Sequence, residues 1–301
     1  MEIHSTRLRK KDIYTFEDLT GIAKLADWFV HFNNLLKKNI IPKVIFISNY
    51  KGYDTIPFFY NKILPDINNE VTLVIASEDF TFPLGIGDLR RNFYKDKQDL
   101  VTKLINHKFI KKIWVENLDL LHPKLTPLPL GILQYKDRIS ILNSIKFKKI
   151  NFNERKNNLF VCHRIRSHLQ FQKRRLVSNF CQNKWKDFVC LKNNLEYTDF
   201  INHLLNSKFV LCVNGGGYDP SPKCWEALLC GCIPIIEHST LNEAYKEFPI
   251  IFVKKWRRNT ITEDKLNIWL KEKRIFFENE TKREEVLKKL HLNYWWNKIN
   301  N

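Results

Sequence analysis

Residues 208–256 read KFVLCVNGGGYDPSPKCWEALLCGCIPIIEHSTLNEAYKEFPIIFVKKW. The apolar run Phe209-Val210-Leu211-Cys212-Val213 ends on Asn214 and three successive glycines, Gly215, Gly216 and Gly217. A polar loop follows, then a helical stretch that carries Trp225-Glu226-Ala227-Leu228. Gly231-Cys232-Ile233-Pro234 leads into a second apolar run that closes on Glu237. The pattern is strand, glycine loop, helix, strand: one crossover unit of a parallel sheet.

Three residues without side chains let the backbone approach a ligand closely and turn its amides inward. A helix starting near Pro222 aims its positive end at the same place, which suits a diphosphate. Asn214, Tyr218 and Lys223 border the loop. Glu226 lies early in the helix, where a carboxylate accepts both hydroxyls of a ribose; the plainer reading is a surface glutamate favoured by the helix dipole. No Gly-Lys-Ser/Thr follows the glycines and GxGxxG is absent, so the loop is neither a P-loop nor the dinucleotide fingerprint. Upstream, Arg164 and Arg166 follow the first strand of this half, and Lys173, Arg174 and Arg175 come soon after. Guanidinium forks bind phosphate at two points. Arg164 and one of Arg174 or Arg175 are the expected phosphate contacts; a solvated basic face is the alternative.

Outward from this unit, continuous apolar runs alternate with helical spacing. In the first half, residues 16–38 show helical spacing, residues 43–48, 71–76 and 112–117 read as strands, and residues 99–107 as a helix. Buried runs flanked by helices indicate parallel sheets covered on both faces. The polar strand ends at Asn49, Ser77 and Asn117 mark a carboxyl edge, where open α/β sheets present ligands. The proline-rich residues 122–132 forbid regular structure. The basic stretch 136–158 reads as a linker. In the second half, residues 158–162, 186–191 and 250–253 read as strands, and residues 172–181, 197–205, 263–277 and 281–299 as helices. The domains are thus expected at 1–148 and 149–280, with residues 281–301 a helix that packs back on the first domain through Tyr294, Trp295 and Trp296.

The 301 residues are 44% hydrophobic, enough for two ordinary domains. No apolar run approaches the ~20 residues of a membrane span. The start has a basic stretch without an apolar core, so no signal peptide is read and a cytoplasmic protein is expected. All seven cysteines fall between Cys162 and Cys232. An odd count without paired spacing argues against disulfides and zinc, and for buried small hydrophobes. The net charge of +18 favours anionic partners, although the chain is also rich in Lys, Asn and Ile, as AT-rich genomes such as those of large DNA viruses produce.

The segment FVLCVNGGGYDPSPKCWEALLCGCIPII resembles the donor site of the exostosin-like glycosyltransferases, and ENLDLLHPKLTPLPLGI is similar to a segment of related viral and microbial enzymes. Fucosyltransferases carry a related segment. The resemblance covers residues 112–132 and 158–256 and implies a GT-B fold, two Rossmann-like domains facing across a cleft. It implies that Glu226 holds the ribose and the 215–217 loop the diphosphate of a nucleotide-sugar donor, a UDP-sugar first and a GDP-sugar second. Lys223 is the single cation between loop and helix, where such enzymes carry arginines.

No Asp-x-Asp occurs, so no divalent cation is expected on the diphosphate; side-chain cations and amides must meet the leaving-group charge. Transfer to an acceptor hydroxyl needs a general base from the first domain. Asp79 is the first choice, Asp54 and Glu116 are reserves, and His122 and His163 are read as structural. The expected partners are the donor and a glycan or glycoprotein acceptor, with no specific nucleic acid. A rival from another class is a basic nucleic-acid-binding protein, although no helix-turn-helix, zinc-finger or RNP motif is found. A sugar-binding relative without activity is a third reading.

Overall fold

The computed structural model describes residues 2–8, 13–49, 52–87 and 95–301. Part of the basic stretch near the start lies outside them. Two parallel sheets carry the chain. The first takes β1 (Trp28–His31), β2 (Asn34–Lys37), β3 (Val44–Ser48), β4 (Val71–Ala76), β5 (Ile110–Val115) and β6 (Leu125–Pro127), in the order β2-β1-β3-β4-β5-β6. Only the β1–β2 pair is antiparallel. The second takes β7 (Asn157–Cys162), β8 (Val189–Lys192), β9 (Ser207–Leu211), β10 (Ile233–Glu237) and β11 (Ile251–Val253), in the order β11-β10-β9-β7-β8, parallel throughout. β3 and β4 are buried at every position. That is the mark of a sheet covered on both faces.

In the first domain α1 (Gly21–Leu25), α2 (Gly52–Phe58) and α3 (Gln98–Asn106) alternate with the strands, and α4 (Lys136–Ile145) leads out of it. In the second, α5 (Gln172–Gln182), α6 (Tyr197–Leu205), α7 (Lys223–Leu229) and the short α8 (Asn242–Tyr245) connect the strands. α9 (Glu263–Lys273), α10 (Ile275–Glu278), α11 (Glu280–Lys289) and α12 (Leu292–Asn300) close the chain. The last of these packs on α1. Leu292 N donates to Glu2 O at 3.0 Å, and His4 N donates to Leu290 O at 2.9 Å. Trp295 is buried with its ring 5.5 Å from that of His4. The expected α/β architecture, two Rossmann-like domains with a terminal helix crossing back, is therefore present.

Three expectations of local structure are corrected. Residues 16–38 do not form one helix. α1 stops before Asp27, whose Oδ2 accepts from Lys43 N at 2.8 Å and Val44 N at 2.9 Å. The run after it joins the sheet instead, Phe29 beside Phe46, and doubles back through Phe32 at φ 52°. The stretch 136–158 is no bare linker: α4 buries Leu142 and Ile145, and Ile150 and Phe152 follow them into the core. Residues 122–132 do contribute to a sheet, through β6.

Two buried arginines brace the second domain and fix the closing helices to it without a carboxylate. Arg155 donates to the carbonyls of Leu204, Ser207 and Cys230 at 3.1, 2.6 and 2.8 Å. Arg283 donates to Leu228 O at 2.6 Å and Leu229 O at 2.7 Å, the end of α7. Cations suit helix C-termini, where carbonyls lack partners. Arg283→Met strands those carbonyls, so a loss of about 2–4 kcal/mol is expected by thermal or denaturant unfolding.

Candidate functional site

Both sheets present their carboxyl edges to one cavity of about 440 Å³. From the first domain come Arg7, Asp79 and Asn117. From the second come the 215–217 loop, Arg164, Arg166 and Arg174. Tyr135 and Arg138 complete the wall from the start of α4.

The first-domain side is built on a strained residue. Ser77, directly after β4, holds φ at 87°. Its N donates to Glu116 Oε2 at 2.8 Å and its Oγ accepts from Leu8 N at 3.3 Å. Strain of this kind persists where the surroundings over-determine it. Here it delivers Asp79 to the cleft, 39% exposed, with Oδ1 accepting from Arg7 Nη2 at 2.8 Å. Glu116 is buried, with Arg7 Nη2 at 2.7 Å from Oε1 and Thr6 Oγ1 at 2.6 Å from Oε2. Burial raises its pKa, with Arg7 opposing. Burial also pushes Glu78 up to about 7. Asp54 is exposed on α2 and lines a different hollow beside Phe32 and Asn33. His122 takes Lys124 N on Nδ1 at 3.2 Å. His163 is pushed down to about 3 by burial, with Lys223 and Arg174 adding repulsion; its Nε2 lies 3.1 Å from Arg174 O and 3.0 Å from Ser178 Oγ.

The glycines are required by close approach rather than by backbone angle; none of the three lies at positive φ. A Cβ at Gly215 would stand 2.6 Å from Arg174 Nη2, at Gly216 2.0 Å from Asp79 Oδ2, and at Gly217 2.3 Å from Asn117 Oδ1. The loop thus closes on the opposite domain. Asn117 Oδ1 accepts from Tyr218 N at 2.9 Å and Asp219 N at 3.0 Å, and Gln170 Nε2 donates to the carbonyls of Gly215 and Gly216 at 2.9 and 2.7 Å. The amides of Gly215, Gly216 and Gly217 donate to no acceptor among the described residues. Gly215 and Gly217 are buried, and buried amides are almost always paired.

The other expected donor residues are distributed around this loop. Arg164 and Arg174 reach the cavity. Arg175 does not: it donates to Arg166 O at 2.7 Å and His168 O at 3.1 Å, bracing the loop after β7. Lys223 is buried, with Nζ on Cys162 O and on Leu211 O, tying the ends of β7 and β9. Asn214 and Tyr218 open on a second cavity of about 530 Å³ beside Glu237 and His238. Asn214 Nδ2 also donates to Gly217 O at 2.8 Å. Glu226 is 5% exposed and is not on the cavity wall. Its Oε1 accepts from Tyr197 OH at 3.1 Å, and Arg138 lies over the Tyr197 ring at 4.5 Å. Glu226 is thus one hydrogen bond behind a residue that touches the wall. Burial raises its pKa.

Sequence reasoning missed Asp219, Arg138, Arg7 and Gln170. Asp219 had a signal: in Asp219-Pro220-Ser221-Pro222 its Oδ1 accepts from Ser221 N at 2.9 Å, the turn such an aspartate favours. Its Oδ2 accepts from Leu130 N of the other domain at 3.0 Å and from Tyr245 OH at 2.5 Å. Burial pushes Asp219 up to about 7, from an ordinary 3.8. Between those values the fold holds a proton that the unfolded chain releases. The contribution to stability is complete below pH 4 and fades as pH rises through 7, by at most about 1.4 kcal/mol per pH unit. The difference between wild type and Asp219→Asn in denaturant unfolding at pH 5 and pH 8 reads that contribution apart from those of Glu78, His4 and His163, which titrate over the same range.

The electrostatics are one-sided. In the whole chain lysines outnumber arginines 36 to 14. Among the described residues, five arginines and no lysine line this cavity. Burial pushes Arg174 down to about 10; Asp79 opposes this, and Arg166 and Arg164 add to it. Asp79 and Asp219 are the carboxylates that the described residues bring to the same wall. Among the described residues no group of three His, Cys, Asp or Glu side chains could hold a metal ion, and no helix is long and apolar enough to cross a membrane. The seven cysteines are all free thiols.

No protein-family model matches the chain, and no curated protein matches it. Among solved structures it is similar to TarM, at 11% identity and a TM-score of 0.45, over 86% of this chain and 54% of TarM. The chain therefore spans about half the length of that protein. It is similar to an alpha,alpha-trehalose-phosphate synthase (UDP-forming) from Burkholderia vietnamiensis, at 10% identity and a TM-score of 0.47, over 84% of this chain and 70% of that one. It is also similar to an alpha-glucosyltransferase solved with UDP and a 13-mer DNA containing a HMU base, at 12% identity and a TM-score of 0.41, over 86% and 81%.

Proposed function

We propose that this chain is a glycosyltransferase that moves a sugar from a nucleoside diphosphate, a UDP-sugar first, to an acceptor hydroxyl. The observation that carries the reading is a glycine loop whose amides donate to no acceptor among the described residues, set in a cavity to which those residues bring five arginines and no lysine. Amides and guanidinium forks together are the chemistry of a diphosphate clasp. In this reading the 215–217 amides, Arg164 and Arg174 hold the diphosphate. Glu226 stands behind the wall and, in this reading, holds Tyr197 beneath Arg138 rather than touching the donor. The kinship we propose is with the exostosin-like enzymes, in a reducing compartment such as the cytosol, which suits seven free thiols.

The acceptor oxygen attacks the anomeric carbon and its proton passes to Asp79. The bond from that carbon to the diphosphate oxygen breaks, and the electron pair leaves with the diphosphate. The guanidinium groups and amides stabilise that developing charge without a metal ion. Asp79 fits the base because, among the described residues, it is the first-domain carboxylate that touches the glycine loop.

A panel of nucleotide sugars, assayed for slow release of nucleoside diphosphate, tests the reading. Hydrolysis of at least one donor is expected, and Asp79→Asn is expected to cut transfer by about 10²-fold or more while nucleotide binding persists. Release from no donor would contradict the assignment.

A further inference from the structure

The five guanidinium groups that the described residues bring to the cavity exceed what the donor requires. Arg7 is neutralised where it stands, by Asp79 at 2.8 Å and Glu116 at 2.7 Å. Arg164 and Arg174 suffice for the paired charges of a diphosphate ester. Arg138 and Arg166 are left over. Among the described residues neither guanidinium has a hydrogen-bond or ion-pair partner. Both instead lie against aromatic rings: Arg138 at 4.9 Å from the centroid of Tyr135 and 4.5 Å from that of Tyr197, and Arg166 at 5.7 Å from that of Phe171. Stacking uses the face of a guanidinium and leaves its N–H edge open to an in-plane anion. The two come from different parts of the wall, α4 and the loop after β7. A merely solvated basic rim in this lysine-rich chain would be mostly lysine, and among the described residues no lysine lines the cavity.

We propose that Arg138 and Arg166 form a second anion site in the cleft, which holds a phosphate or carboxylate carried by the acceptor. The inference rests on the donor reading above, since it assigns what that reading leaves over. It makes the acceptor class anionic, and it gives specificity to two residues that the diphosphate does not use.

The test is calorimetry on the full chain saturated with UDP, titrated with inorganic phosphate and, separately, with acetate, at ionic strength held constant with chloride. Saturable binding of one of the two is expected, phosphate or acetate naming the group. In the Arg138→Gln/Arg166→Gln double variant that binding should weaken at least about tenfold while UDP affinity stays within about threefold. Retained UDP binding also shows that the variant is folded. No binding of either anion to the UDP-loaded chain overturns this proposal alone. An equal loss of UDP affinity in the double variant also overturns it, because the two arginines then belong to the donor. A wild-type chain that fails to bind UDP overturns the donor reading and this proposal with it.

Discussion

Gly217→Ala is expected to spring the cleft open. The added Cβ would stand 2.3 Å from Asn117 Oδ1 and 2.6 Å from Asp79 O, and the second of these is main chain that cannot swing aside. The position has no positive φ, so alanine meets no backbone strain there and the effect isolates the contact. Asn117 is the hub that would be displaced. It accepts from Tyr218 N and Asp219 N, and its Nδ2 donates to Glu78 O at 3.0 Å. Losing those bonds and forcing the overlap should cost about 1–3 kcal/mol. Thermal unfolding reads the cost, and small-angle scattering reads the larger radius of gyration. UDP affinity should fall as well, because the loop loses its backing. Unchanged stability, radius and affinity would mean that the loop does not press on the first domain in solution.

Arg174→Met is expected to separate binding from stability. Its Nη1 donates to Arg164 O at 2.9 Å and its Nε to Val213 O at 3.3 Å, which aims the guanidinium at the glycine loop. It is a half-buried cation with no carboxylate bonded to it among the described residues. Removing it takes away a main bidentate contact to a diphosphate, a loss of about 10²-fold in UDP affinity, or about 2.7 kcal/mol. Arg164 O is exposed, so water can replace the guanidinium there, unlike at the buried carbonyls of Arg283, and little stability is lost. Weaker UDP binding at a nearly unchanged melting temperature is therefore the expected signature. A drop in both would make Arg174 a structural residue.

The fold was legible because buried parallel strands must be continuous apolar runs; residues 44–48, 71–76 and 207–211 leave little alternative. The hairpin of β1 and β2 was not legible, because Leu25, Ala26, Phe29 and Phe32 also lie on one helical face, and the preference of Asp27 for the amides of Lys43 and Val44 is a tertiary fact. The carboxyl-edge residues Asn49, Ser77 and Asn117 were readable from polar ends on apolar runs, and all three are buried at that edge. What Asn117 touches was not, since its partners lie a hundred residues away in the other domain. The glycine loop was readable as a place of close approach, although its nearest neighbours prove to be Asp79 and Asn117. Lys223 and Glu226 show the limit of spacing arguments. Both occupy α7, but the turn of that short helix buries them and leaves the wall to arginines from loops and α4. Arg138 carried no local signal, because only the return of α4 across the junction brings it to the cleft.

The central claim is that the 215–217 loop and its arginines clasp a pyrophosphate. Calorimetric titration of the chain with UDP, UMP and uridine, with a DNA oligonucleotide as competitor, tests it most directly. A single saturable site for UDP is expected, at least about tenfold tighter than for UMP, with little binding of uridine and no displacement by the oligonucleotide. Equal affinity for UDP and uridine, or salt-sensitive DNA binding with no response to any nucleotide, would contradict it.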